Sequence, residues 1–425
     1  MSSCHNAPGC SLPGRGGRSA AWLRPRRLGR RRPTGAGRPW PVLLLLLALG
    51  PSPIRAELRS DWGGFLSQGW ARSDHNAFYG GSDRDAGSFD YRELGLNGFV
   101  AFTPRARVNG QLLSRRAGEG SDGSPQLDYL FADLTLLLQM ERQFGVRVGR
   151  IKNPLGFYNE TRDVAFTRPG IIMPQPIYFD QVRELQLSSD GAALYYRSTG
   201  PFGNWLFDAQ HGALQTGNST EARFLGHQRD GQFHASQVSL GRLIFEPPGD
   251  RWRVGLTQVD AHMPFAPAGS DPLLPGTVDL RLSILSAQYN LEHWSFTAEA
   301  MQAQTRWRDL GPLVPTQRTL EAWYLQADYR LTARWQLLAR LDRLVIDRND
   351  QSGNAFSQQV GIPAHQQFAR DRTLGLLFQP SPRWDLRAEL HQVDGTGWLP
   401  PEDNPDPGAL KRRWKLLLLQ AALRF

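Results

Sequence analysis

Residues 413–425 read RWKLLLLQAALRF. Taken at a spacing of two, Leu417, Leu419, Ala421, Leu423 and Phe425 share one face, and Leu416, Leu418, Gln420, Ala422 and Arg424 share the other. The first face is apolar from end to end. A half-buried strand of a soluble sheet reads the same way over thirteen residues, so the choice falls to the rest of the chain.

The same alternation recurs upstream. Trp384, Leu386, Ala388 and Leu390 oppose Asp385, Arg387, Glu389 and His391, and Trp335, Leu337, Ala339 and Leu341 oppose Gln336, Leu338, Arg340 and Asp342. Sixteen such segments are expected, at 64–71, 90–101, 105–113, 127–139, 143–151, 191–198, 203–211, 235–245, 251–261, 279–289, 293–303, 319–329, 333–345, 371–378, 383–393 and 413–425. Many run longer than the ordinary soluble strand of about 5–6 residues and match the 9–11 or so that cross a bilayer at a tilt.

The connections alternate between short and long. Seven tight turns carry FTP, MER, TGPF, EPPGD, NLE, RLTA and QPSP, most with the Pro or Gly that a turn requires. Eight long segments lie between them, at 72–89, 114–126, 152–190, 212–234, 262–278, 304–318, 346–370 and 394–412. This asymmetry predicts a transmembrane antiparallel β-barrel with short turns at one rim and long loops at the other. Trp205, Trp252, Trp294, Trp335 and Trp384 follow five turns, while Phe102, Phe245, Tyr289, Tyr329 and Phe378 precede turns. With Phe425 they form an expected aromatic girdle at one membrane interface. The competing reading is a soluble all-β protein with an aromatic core, which does not explain aromatics locked to one set of turns.

The formal charge of +9 comes from the first 56 residues, which hold ten arginines and no acid; 39 basic and 40 acidic residues remain. That distribution argues against nucleic-acid binding. Residues 1–56 read as a secretory signal peptide: arginines at 24–38, the apolar run VLLLLLAL (42–49), and a cut expected after Ala56. The charged region is overlong, so the start is expected near Leu23, and a mitochondrial targeting peptide is the other reading. Both cysteines, Cys4 and Cys10, fall in the leader, leaving residues 57–425 without thiol chemistry.

With these features in place, the chain resembles the Gram-negative outer-membrane porins. The resemblance rests on the signal peptide, the strand and turn alternation, the long third loop and the terminal Phe425. The stretch GRIKNPLGFYNETRDVAFTRPGIIMPQPIYFD (149–180) is loosely similar to phosphate-selective and carbohydrate porins. The resemblance implies a bacterial outer-membrane location amid lipid and lipopolysaccharide, recognition of Phe425 by the barrel-insertion machinery, association of three copies, and a third loop folded into the bore.

The candidate constriction is therefore 152–190, with Lys152, Tyr158, Glu160, Arg162, Asp163, Arg168, Tyr178, Asp180, Arg183 and Glu184 as its polar residues. Four prolines stiffen it, and a structureless loop of this length is usually functional. Four basic against five acidic residues across 152–190 define no simple ion filter; an ordered surface loop of paired charges is the alternative. Arg105, Arg107, Arg251, Arg253, Arg340, Asp342, Asp385, Arg387 and Glu389 are expected on the pore wall, the first four near turns. His234 and Ser236, expected on one strand face, are reminiscent of barrel phospholipases, but the Asn and Gly that should follow are absent. No nucleotide or metal motif is present, and no cofactor is expected. The expected function is passive diffusion of small hydrophilic solutes, with a non-conducting structural or adhesive barrel as the alternative.

Overall fold

The computed structural model describes residues 58–425 except 227–228, 270 and 312–315. The leader 1–56 lies outside the described residues. Among the described residues the chain forms sixteen antiparallel strands: β1 (Arg59–Ser73), β2 (Ser88–Thr103), β3 (Ala106–Ala117), β4 (Asp122–Leu138), β5 (Arg142–Lys152), β6 (Ser188–Gly200), β7 (Gly203–Leu214), β8 (Gln237–Glu246), β9 (Trp252–Ala266), β10 (Gly276–Asn290), β11 (Trp294–Arg308), β12 (Gln317–Arg330), β13 (Trp335–Val345), β14 (Phe368–Ser381), β15 (Trp384–Gly395) and β16 (Arg413–Arg424). Each pairs with its sequence neighbours, and β16 returns to β1 with Leu66 opposite Leu423 and Trp70 opposite Leu419. The sheet closes into a barrel, so no edge is left unpaired.

All sixteen expected strands are present, and most extend beyond the expected bounds at the long-loop rim. The connection expected at 114–126 shrinks to 118–121, because β3 and β4 keep pairing there. Past the apolar band a ladder still satisfies its backbone while its outward side chains no longer need to be apolar, so the alternation fades before the strand does. The serine and histidine of the 234–236 stretch do not share a strand face. Ala235 sits at φ +48°, a two-residue bridge Gln232–Phe233 precedes the break, His234 is exposed and Ser236 is buried.

The exterior keeps the predicted face. Leu417, Leu419, Trp335, Leu337, Trp384 and Leu386 are exposed large apolar residues, as are Trp205, Trp252, Trp294 and Phe425. Rings near the turns pair across neighbouring strands, Trp205 with Phe245, Trp252 with Tyr289, Trp294 with Tyr329 and Trp335 with Phe378, at centroid distances of 4.3–4.5 Å, the first three tilted and the last stacked. An apolar exterior with aromatic pairs beside the short turns suits hydrocarbon outside and argues against the soluble aromatic core.

The interior departs from a water-filled bore. At the long-loop half the inner faces of β8–β11 are apolar, with Val238, Leu240, Val259, Leu282 and Met301 packed against Ile171, Ile177, Phe179, Val182 and Leu185 of the third loop. The hydrophobic core thus lies inside the barrel, between wall and loop. Apolar side chains on both faces of β8 allow either phase at the level of sequence, and the loop decides which are dry.

Candidate functional site

The connection 153–187 folds inward and crosses the bore, ending in the short helix α1 (Arg183–Leu187). Gly156 starts the crossing with φ +58°; a Cβ there would stand 2.5 Å from the Tyr178 hydroxyl and 2.7 Å from Glu299 Oε1, so the backbone approach requires glycine. Glu299 of β11 is the anchor on that side. It accepts from the hydroxyls of Tyr178 (2.6 Å), Tyr324 (2.9 Å) and Ser286 (2.6 Å) and from the Phe157 amide (3.0 Å). Burial, then the Glu299 carboxylate, raises the Tyr178 hydroxyl well above its ordinary pKa, so it remains a donor.

The opposite wall holds the loop with charge. Glu389 of β15 accepts from the Ile171 amide at 2.8 Å, while Arg387 donates to the carbonyls of Arg168 and Gly170, each at 2.9 Å. Arg168 meets Glu93 of β2 at 2.8 Å and donates to the Tyr91 hydroxyl. Arg340 pairs with Asp342 at 3.3 Å and points to the Ile172 carbonyl. A third cluster faces the long loops: Lys152 bridges Asp128 and Asp163, both at 2.6 Å, Arg183 also pairs with Asp163, and Asp180 binds Arg115 and Arg162, both at 3.1 Å, and the Tyr79 hydroxyl at 2.8 Å. Burial alone would raise the Asp180 carboxyl; Arg115 and Arg162 together hold it below the usual range. Burial raises Glu184.

These contacts locate the expected site residues. Lys152, Arg162, Asp163, Arg168, Asp180 and Arg183 come together, but as ion pairs among loop and wall rather than as a free ring of charge, and Glu160 likewise pairs with Arg242 of β8 at 2.7 Å. Arg340, Asp342, Asp385, Arg387 and Glu389 do face inward, yet the loop covers them and leaves them buried. Arg105 and Arg251 sit exposed in the turns before β3 and β9, outside the wall ladder. Glu93, Arg115, Asp128, Arg242 and Glu299 were not singled out from sequence. Their only local signal is an isolated charge in the inward phase, because the partners lie tens to hundreds of residues away.

The loop leaves a cavity on either side. One of about 290 Å³ at the long-loop rim is lined by Tyr79, Arg115, Asp180, Arg183 and Glu184, and one of about 310 Å³ at the turn rim by Tyr158, Arg168, Asn290, His293 and Arg330. In the turn-side half, inward arginines Arg107, Arg147, Arg197 and Arg253 stay 48%, 23%, 27% and 32% exposed, whereas their acids Asp133 and Asp208 are 1% and 7% exposed. Glu246, paired with Arg253, is the more accessible exception. The guanidinium groups therefore present the charge that water there meets.

No protein-family model and no curated protein sequence matches the chain. Solved structures match its fold. The anion-selective porin from Comamonas acidovorans is 12% identical at TM-score 0.54, covering 87% of this chain and 100% of that one. The fold is that of the outer-membrane porins. The outer membrane channel DcaP of Acinetobacter baumannii, 12% identical at TM-score 0.53 over 88% of this chain and 99% of that one, and OmpT of Vibrio cholerae, 9% identical at 0.54 over 86% and 97%, share it. Within that fold, the loop after β5 crosses the bore of this chain.

Proposed function

We propose that the protein is a passive diffusion channel of the bacterial outer membrane for small hydrophilic solutes and ions, narrowed by residues 153–187 and preferring anions. The observation that carries the reading is the loop itself, held across a closed barrel between two polar cavities. An aqueous route spares a solute the cost of dehydration, and a concentration gradient supplies the driving force, so no cofactor is needed. The anion preference rests on the accessible arginines of β3, β5 and β6 with their buried counter-acids, to which Arg253 of β9 adds an accessible cation beside the accessible Glu246. A positive potential in a low-dielectric wall raises the local anion concentration.

A second reading is favoured by the pairing of the loop's charges with one another and with the wall: a barrel plugged outright, acting as an anchor or adhesin. Planar-bilayer current from refolded 57–425 under a KCl gradient separates the two. The channel reading expects small discrete steps with an anion-side reversal potential, and several-fold larger steps when residues 157–184 are replaced by a short glycine-serine linker. Unchanged steps in that variant would remove the loop as the constriction. A heat-modifiable barrel that passes no current would put the plugged reading first. Association of three copies, as in the trimer form of OmpT from Vibrio cholerae, is part of the proposal and is checked by the mass of the detergent-solubilised native particle.

A further inference from the structure

Helix α2 (Asn218–Leu225), in the connection between β7 and β8, lies over the inner wall, and the Trp307 indole donates to the Phe224 carbonyl at 2.8 Å to fix it there. Beneath it is a cavity of about 120 Å³. Phe179, Leu185, Leu240, Leu282, Met301 and Trp307 are among its walls, and its only charged lining residues among those described are Arg223 and Arg318. Both are cations. Arg318 has a distant partner, Asp347 at 3.9 Å. Arg223 has no ion pair and no side-chain hydrogen bond among the described residues; its guanidinium lies 4.8 Å from the Phe179 ring centroid and is partly exposed.

We infer that this cavity binds a small anion with an apolar body, such as an aromatic carboxylate. An apolar chamber of about 150 Å³ takes a benzene ring without water; the present cavity, at about 120 Å³, limits the apolar body to one ring or a short alkyl chain at most, with the charged end left outside it. A guanidinium at the rim without an acid gains a partner from an arriving carboxylate, and the planar fork matches it bidentately. The apolar body enters between the third loop and β8–β12, leaving the charged end against Arg223. Burial and the neighbouring Arg318 lower the Arg223 pKa to about 10, so it stays charged at neutral pH and lacks compensation. The inference deepens the channel reading by naming a solute class, but the site itself requires no current.

The test is equilibrium binding of sodium benzoate to refolded protein in lipid nanodiscs, followed by isothermal titration and by Trp307 fluorescence relative to Trp307→Phe. The expectation is saturable benzoate binding, at least tenfold weakened in Arg223→Gln and largely kept in Arg223→Lys, with neutral benzamide equally weak in all three. Heat-modifiability of each variant confirms that the barrel is folded. Benzoate affinity equal in wild type and Arg223→Gln overturns the inference, as does acetate competing as well as benzoate, since that would mean charge attraction without an apolar site. Bilayer conductance is recorded on the same preparation: binding without current sinks the channel and keeps the site, and current without binding does the reverse.

Discussion

Asp180 shows what one carboxylate does for the loop. It accepts from Tyr79, Arg115 and Arg162, which belong to the first outer loop, to β3 and to the crossing loop itself. Its folded pKa is depressed, so its contribution is complete above the unfolded carboxylate value of about 4 and is lost as pH falls through the folded value. Breaking one partner of a buried pair costs about 3–5 kcal/mol. Protease protection of residues 153–187 in the refolded barrel is therefore expected to fall below about pH 4, and Asp180→Asn is expected to lose that protection already at neutral pH. An acid step with the same midpoint in the variant would assign the effect elsewhere.

At the scale of elements, the aromatic pairs tie the girdle to the ladder. Trp335 and Phe378 are register partners across β13 and β14 with rings 23° from parallel, whereas Trp384 faces Leu423. Aromatic pairs are worth about 0.5–1.5 kcal/mol beyond their buried area. A double-mutant cycle of Trp335→Ala and Phe378→Ala, read by urea unfolding in vesicles, is expected to show that coupling; the cycle at Trp384 and Leu423 is expected to show less, and equal values would mean that only burial in the interface matters. These elements were legible in the sequence because each strand meets two media. Trp384 to Leu390 and Asp385 to His391 differ because one side meets lipid and the other the interior. The ends of β3 and β4 were not, since Arg115 to Ala117 and Asp122 to Ser124 lie beyond the apolar band and lack its demand for alternation.

For the molecule as a whole, the net charge near zero after residue 56 conceals a radial separation of sign. Arg107 and Arg253 meet the turn-side water, and Asp133, the partner of Arg107, is withdrawn behind it. Neutralising both as Arg107→Gln and Arg253→Gln is expected to move the reversal potential under a KCl gradient toward the cation side, more at 0.1 M than at 1 M salt because screening shortens the Debye length from about 10 to about 3 Å. No shift would mean that the crossing loop alone sets selectivity. The position of that loop was legible from its length and prolines, but its anchors were not. Nothing local at Glu299 announces Tyr178, or at Glu389 the Ile171 amide 218 residues away. The apolar inner face of β8 was likewise hidden, because Val238 and Leu240 look no different from lipid-facing residues until the loop is in place.

The crossing loop is bonded to β2, β11 and β15, and the wall that surrounds it is completed where β1 meets β16. Contacts such as that of Glu389 with the Ile171 amide join residues 218 positions apart, and pairings so distant in sequence form slowly. Seating of the loop is therefore expected late in assembly, after much of the wall that receives it has formed.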